Sequence, residues 1–251
     1  MDNQDAIKQA QSILNELLRY SFSQIFDIAP AEKKLNDLLQ DNPNTIEILI
    51  SLVFCSIMLG KRKEAKEFSD KTWSIGGDLS PFFELVYTDC LLNIGEVEKA
   101  GILLQSRLEN IGDNLQHFYM VMVKYALLSG NLVLLKQIGE YPGMHDREPT
   151  LFDFANEHAL NSSVKDYRAV IQTILDNTKD TLCAFEYGMY PGEGLELVLY
   201  TNESSEQNSE VEEQLFDKLD GYFLSMESSP FEDLFIEFEN IKLHPSWLNV
   251  D

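Results

Sequence analysis

Apolar residues recur at helical spacing through the first half of the chain, in stretches separated by short polar segments. A glycine follows three of these stretches, at Gly60, Gly95 and Gly130, and both intervals are 35 residues. A helix that turns sharply into a neighbour commonly ends in a left-handed residue, which costs glycine little and other residues about 1–2 kcal/mol. The pattern predicts a stack of helical hairpins with turns at these glycines.

Other positions keep the same phase. Small residues, Ala65 and Ala100, stand five positions after the first two glycines, where they favour close packing of the second helix on the first. An earlier hairpin is predicted over residues 3–20 and about 31–43. The sets equivalent under the 35-residue shift are Ile50, Leu85 and Met120; Val53, Thr88 and Val123; and Ile57, Leu92 and Leu127.

The last third of the chain changes character. Two further helices are predicted to begin at the capping signals Thr150 and Ser163, and we expect them to cap the stack. From about Thr181 the apolar period becomes two, which predicts a hairpin turning at residues 191–194. A helix with the stripe Val211, Leu215, Leu219 and Tyr222 and a strand over residues 234–239 follow.

These patterns predict an α+β fold with two domains. The first is an α-α superhelical hairpin array over residues 3–178, including its capping helices. The second is a small acidic β-β-α-β unit over residues 181–251, in which a helix covers one face of a sheet.

The first part of the chain resembles a tetratricopeptide-repeat protein over roughly residues 3–140. The resemblance rests on the period, the three turn glycines, the alanines Ala31, Ala65 and Ala100, and Pro43. The tryptophan and tyrosine positions of that family are mostly filled by other residues. The resemblance implies a concave inner surface on which a helix or peptide of another protein docks.

Composition agrees with a folded chain, since 44% of its 251 residues are apolar and 24% are charged. No apolar run approaches the roughly 18 residues of a membrane helix, and the N-terminal residues lack the pattern of a secretion signal. The cysteines Cys55, Cys90 and Cys183 lack the spacing of disulfide frameworks or zinc sites. We therefore expect a cytoplasmic protein with no membrane association and with cysteines that pack in its core.

Negative charge is concentrated near the end of the chain. Residues 181–251 hold sixteen acidic residues against two lysines, which is −14 of the formal net charge of −23. Such a surface repels nucleic acid, because binding to phosphate requires lysine and arginine. The charge is typical of a solvated surface that aids solubility; the functional alternative is a basic protein partner, or mimicry of phosphate charge that blocks a nucleic-acid-binding protein. The candidate acidic face consists of Glu212, Glu213, Asp217 and Asp220.

The segment from Ile48 to Leu59 is apolar nearly all round, and a helix of that kind is normally buried on every side. In a hairpin array one side of it would stay open unless something covers it. The cover could be the N-terminal helix or the α/β unit of the chain itself, a second copy, or a partner helix. The predicted inner face consists of Phe54, Ile57, Met58, Asp89, Leu92, His117, Met120, Lys124 and Leu127.

The sequence thus favours a non-catalytic protein-binding scaffold, which docks a helix or peptide on the inner face while the acidic unit favours a basic partner. One alternative is a dedicated chaperone or immunity-type inhibitor that neutralises one basic protein through residues 181–251. Another is an enzyme whose site is assembled from distant residues. The common catalytic and nucleotide-binding motifs are missing from the sequence, so we expect no catalytic residues, cofactor or metal.

Overall fold

The structure is a computed structural model that describes residues 3–18, 28–159, 163–190, 194–201 and 234–240, with positions 207, 209–210, 212–214 and 217. Within these residues the chain is mostly helical, with a small three-stranded sheet towards its C-terminal end. This agrees with the predicted α+β class.

The described elements follow one another as eleven helices and three strands. They are α1 (Asn3–Leu17), α2 (Ile28–Asp41), α3 (Ile46–Met58), α4 (Arg62–Ile75), α5 (Pro81–Asn93), α6 (Val97–Leu108), α7 (Ile111–Leu128), α8 (Leu132–Gly139), α9 (Met144–Arg147), α10 (Pro149–His158), α11 (Ser163–Thr178), β1 (Leu182–Tyr190), β2 (Gly194–Thr201) and β3 (Leu234–Asn240).

The three predicted glycine turns are confirmed. Gly60, Gly95 and Gly130 have φ angles of +66°, +77° and +65°, and each lies two residues beyond the end of α3, α5 or α7. At every turn the glycine N–H donates to the carbonyl three residues back, and the next N–H donates to the carbonyl five residues back. These bonds satisfy carbonyls that a helix end would otherwise leave without partners.

Adjacent helices pack in chain order, as a helical repeat array requires. The odd-numbered helices α1, α3, α5 and α7 pack successively against one another, and each also packs against the even-numbered helix that follows it. Residues 48–58 of α3 are all buried. The apolar circumference of this helix is therefore enclosed by its neighbours.

Ion pairs join neighbouring even-numbered helices at their surface. Lys99 Nζ lies 2.8 Å from Asp70 Oδ1, and Lys66 pairs with Glu96 beside the turn at Gly95. Although desolvation opposes the shift, hydrogen bonds from Lys99 and Lys66 lower the pKa of Asp70. Exposed pairs of this kind contribute modestly to stability, so apolar packing remains the main source of cohesion in the array.

The helix α10 packs against α8 and β2, at the end of the helical stack. It begins at Pro149, so Thr150 lies in its first turn rather than capping it as expected. Proline suits the first helical turn because the N–H that it lacks has no partner within the helix there.

The helix α11 lies across the row of turns. The backbone of Arg168 adjoins Gly130, and the side chain of Leu175 lies near Gly95. Just beyond the helix, the Lys179 carbonyl accepts a 2.8 Å hydrogen bond from Nη2 of Arg62. This guanidinium is buried, and desolvation lowers its pKa. The helix and the residue that follows it therefore lie beside the turns, and the predicted capping of the stack stays a prediction.

The predicted strands are confirmed, and they form one sheet in the order β1-β2-β3. The first two are antiparallel, whereas β2 and β3 are parallel and need a crossover connection between them. The described positions 207, 209–210, 212–214 and 217 within that connection are helical. The predicted turn at 191–193 and the stripe Val211, Leu215, Leu219 and Tyr222 lie outside the described residues.

One face of the sheet belongs to the same apolar core as the helices. Leu182 and Phe185 of β1 and Leu197 of β2 lie in that core. An irregularity in the β1–β2 register at Cys183 allows Leu182 and Phe185, three residues apart, to share one face. The opposite face holds a small cluster of its own: Cys183, Ala184, Val198 and Tyr200.

The predicted boundary between domains at residues 178–181 stays a prediction, and the apolar core contains residues from both sides of it.

We expect Gly130→Ala to destabilise the chain more than Gly143→Ala. The two glycines have φ angles of +65° and +81°, so each substitution incurs the left-handed penalty of about 1–2 kcal/mol. A Cβ at position 130 would lie 2.7 Å from the Cα of Arg168, whereas one at position 143 meets nothing within 4 Å. Overpacking adds about 1–3 kcal/mol at position 130 alone. Urea unfolding followed by circular dichroism measures both losses, and equal losses would contradict the placement of α11.

Candidate functional site

The structure divides the predicted inner face into a buried apolar part and an accessible polar part. Asp89 and Lys124 are partly exposed, while His117 and Met120 are exposed, Met120 at 46%. The five other members are at most 4% exposed: Phe54, Ile57, Met58, Leu92 and Leu127. The polar part is therefore the accessible part of the predicted inner face.

The chain itself encloses the apolar part. The helix α1 packs on α3, and β1 packs on α5. Leu14 of α1 and Phe185 of β1 belong to the same buried cluster as Ile57 and Leu127. Of the covers that the sequence left open, the N-terminal helix and the α/β unit are the ones that the structure provides.

A polar network fastens β1 to the end of α5. The buried side chain of Asn93 accepts a 3.2 Å hydrogen bond from the backbone N–H of Phe185 through Oδ1. Its Nδ2 donates to Asp89 Oδ2 at 3.0 Å, and Lys124 Nζ lies 2.9 Å from Asp89 Oδ1. Asp89 and Lys124 therefore orient the amide that satisfies the outer edge of β1. Two members of the predicted inner face thus have a structural role.

A second cluster joins α7, β1 and the start of α10. The Tyr119 hydroxyl donates to Glu148 Oε2 at 2.8 Å, and the Tyr187 hydroxyl lies 3.2 Å from the same oxygen. Arg147 stacks over the Tyr119 ring at 4.4 Å, and the Met120 sulfur lies 3.7 Å from the Tyr187 hydroxyl. Burial, and after it the charge of Glu148, raises the pKa of both tyrosines. Both phenols therefore remain hydrogen-bond donors. Through Glu148 this tyrosine cluster connects α7, β1 and the start of α10.

The acidic face is described at three of its four positions. Glu212 is partly exposed, and Glu213 and Asp217 are exposed. None of these three forms a salt bridge with another described residue. Asp220 lies outside the described part of the chain, so the extent of the predicted face stays a prediction.

The cysteines fit the packing role predicted for them. Cys55, Cys90 and Cys183 are buried free thiols. Burial raises the pKa of Cys55 to about 12 and that of Cys90 well above its usual range, so both thiols stay protonated. A protonated, enclosed thiol is a poor nucleophile and behaves as a small apolar side chain.

Among the described residues, no group of three or more histidine, cysteine, aspartate or glutamate side chains is placed to hold a metal ion. None of the helices described here is both long and apolar enough to cross a membrane.

Sequence reasoning missed Asn93 and Arg62, although a signal for both was present. Shifts of 35 residues relate Asn93 to Met58 and Leu128, and relate Arg62 to Val97 and Leu132. A polar residue in an otherwise apolar column of the repeat can mark a contact beyond the hairpin stack. Asn93 accepts from the Phe185 N–H, and Arg62 donates to the Lys179 carbonyl as well as to the Ile94 carbonyl of the next hairpin. Tyr119, Glu148 and Tyr187 had no such signal.

Comparison of the chain with protein-family models, with curated proteins and with solved structures finds no match.

We expect Asn93→Ala to destabilise the chain by about 1–3 kcal/mol, because the Phe185 N–H would lose its acceptor in a buried place. Hydrogen exchange at the Phe185 amide should accelerate, and urea unfolding should report the loss of stability. Asn114→Ala is the control, since that side chain is partly exposed and its hydrogen bonds go to Asn110 and Arg107 rather than to β1. An unchanged exchange rate at Phe185 would contradict the role given to Asn93.

Proposed function

We propose that this chain is a non-catalytic protein-binding scaffold that takes a basic protein or peptide as its partner. We assign its hairpin array to the tetratricopeptide-repeat type. The observation that carries the proposal is the repeated turn geometry at Gly60, Gly95 and Gly130, with helices that pack in chain order behind it. Arrays built in this way offer extended surfaces for binding other polypeptides.

The partner docks on the accessible part of the inner face. Met120 provides an exposed apolar contact, and His117 lies one helical turn before it on α7. The Asp89–Lys124 pair adds hydrogen-bonding groups beside them. The buried part of the inner face is occupied by the chain itself, so docking there would need displacement of α1 or β1. The accessible part needs none.

The acidic unit supplies the preference for a basic partner. Its charge of −14 dominates the electrostatics of the chain, and the exposed Glu213 and Asp217 contribute to it. A field of this sign accelerates association with positively charged proteins and discourages contact with nucleic acid. We place the protein in the cytoplasm, because buried free cysteines suit a reducing compartment.

A second candidate is favoured by the same charge. A dedicated chaperone or immunity-type inhibitor would neutralise one basic protein through residues 181–251, without using the inner face. Coulomb attraction at such a surface is long-ranged and falls with ionic strength. The two proposals therefore differ in which side chains the partner needs and in how strongly salt weakens its association.

Quantitative affinity capture from the native host separates these functions. The immobilised full chain is compared with Met120→Asp and with the double variant Glu213→Lys/Asp217→Lys. We expect Met120→Asp to reduce capture of the specific partner at least tenfold, because a docked apolar surface would meet a charge. Ile57 and Leu127 are unsuitable probes, since a buried aspartate there would disrupt the fold.

The controls match the chemistry of each change. Ile102→Asp places the same charge at a residue that is 61% exposed on α6, and Glu67→Lys/Glu109→Lys reverses two exposed acids elsewhere. A scaffold loses its partner with Met120→Asp and retains it with Ile102→Asp. Loss only with Glu213→Lys/Asp217→Lys, together with steep salt dependence, would favour the inhibitor. Capture that no variant alters would contradict both.

A further inference from the structure

The two edge strands of the sheet, β1 and β3, differ in whether described residues cover their outer backbone groups. The β1 edge is covered, because residues 182–185 are buried and the Phe185 N–H donates to Asn93. On the other side β3 pairs with β2, and among the described residues no further strand pairs with β3. The protein provides a dedicated side-chain acceptor for one edge and none, within the described part, for the other.

The β3 edge lacks three of the features that protect an edge strand, which are lysine, proline and bulges, and its charged side chains are both acidic. The seven residues of β3 contain neither lysine nor proline, and the β2–β3 register runs without interruption from Leu234 to Asn240. A strand of this kind is a template for backbone hydrogen bonds with an added strand.

The side chains of β3 combine apolar and acidic character. Phe235 is 44% exposed, and Glu237 is exposed two residues further on, on the same face. Leu234 and Ile236 are partly exposed on the opposite face, which joins the helical core. An added strand would therefore place apolar side chains beside Leu234 and Ile236, and a basic side chain beside Glu237.

We propose that β3 binds an extended segment of a basic protein as a fourth strand of the sheet, with apolar and basic side chains alternating along that segment. The inference rests on the proposed function in one respect, that the partner is basic. Charge complementarity selects this occupant. A second copy of the chain would bring another −23 charges to the same edge, so it is disfavoured.

The test uses the full chain and a fluorescein-labelled peptide of eight residues in which valine and lysine alternate. Fluorescence anisotropy should detect saturable binding, and hydrogen exchange should slow at alternate amides of β3 when the peptide is present. We expect Glu237→Lys to weaken binding about fivefold, since a cross-strand attraction becomes a repulsion. Glu67→Lys, the same change at an exposed residue of α4, should leave binding unchanged.

Two control peptides separate strand addition from simple charge attraction. Methylation of alternate backbone nitrogens on the edge-facing side removes the hydrogen bonds to β3 while keeping the charge, so binding should be lost. A valine–glutamate peptide should not bind. Equal binding of the methylated peptide, or equal weakening by Glu67→Lys and Glu237→Lys, would overturn strand addition while leaving a basic partner intact.

One further outcome also overturns the proposal. If the free chain already protects all β3 amides and no peptide binds, residues of the chain itself, such as 241–251, occupy the edge. The capture experiment is independent of these measurements. Failure to capture any basic partner, with specific peptide binding at β3, would count against the proposed function and not against the open edge.

Discussion

The turns at Gly60, Gly95 and Gly130 lie at the ends of neighbouring packed helices, so the distance between helices sets the distance between turns. The contacts of α11 match that distance. Packed helices lie about 8–10 Å apart, and seven residues of α-helix rise about 10.5 Å. The helix α11 meets the row at matching intervals, with Arg168 beside Gly130 and Leu175, seven residues later, beside Gly95. Lys179 then accepts a hydrogen bond from Arg62 near the first turn. The contacts thus follow the turns in the reverse of their chain order, and they connect the end of the helical part to the start of α4.

The position of the sheet follows from that path. Because α11 ends close to the first turns, β1 begins at Leu182 beside Gly95 and packs against α5. When an edge strand packs against a helix, its outer N–H groups face side chains of that helix. Each such N–H that is buried without an acceptor costs about 1–3 kcal/mol. Asn93 meets this need for Phe185, and Asp89 and Lys124 hold its amide in place. Asp89 and Asn93 at the end of α5 therefore serve the strand that follows α11, a helix that begins 70 residues after Asn93.

The sequence predicted what depends on neighbours in the chain. The turns at Gly60, Gly95 and Gly130 require a left-handed residue, and the strands show as alternation of apolar side chains, so both could be found locally. The inner face was predicted as one surface, yet which part of it is enclosed depends on where α1 and β1 pack. That placement is a tertiary property with no local pattern. Asn93 and Arg62 could be predicted in part. Each is polar where the equivalent positions of the other repeats are apolar, which indicates a contact outside the repeats but does not identify Phe185 or Lys179. Asp220 lies outside the described residues, so the acidic face remains a sequence prediction in part.

An apolar surface that the chain encloses is no longer available to a partner at low cost. Leu92 and Leu127, which were predicted to line the inner face, are buried in one cluster with Phe185, so the helices support the sheet at this place. The accessible groups lie elsewhere. They are Met120 beside the tyrosine cluster, Phe235 and Glu237 on β3, and the carboxylates Glu213 and Asp217 of the connection between β2 and β3. Displacement of the sheet would expose several core residues at once, each worth about 1.5–3 kcal/mol of burial. The peripheral docking that we propose avoids that cost, whereas docking within the stack would incur it.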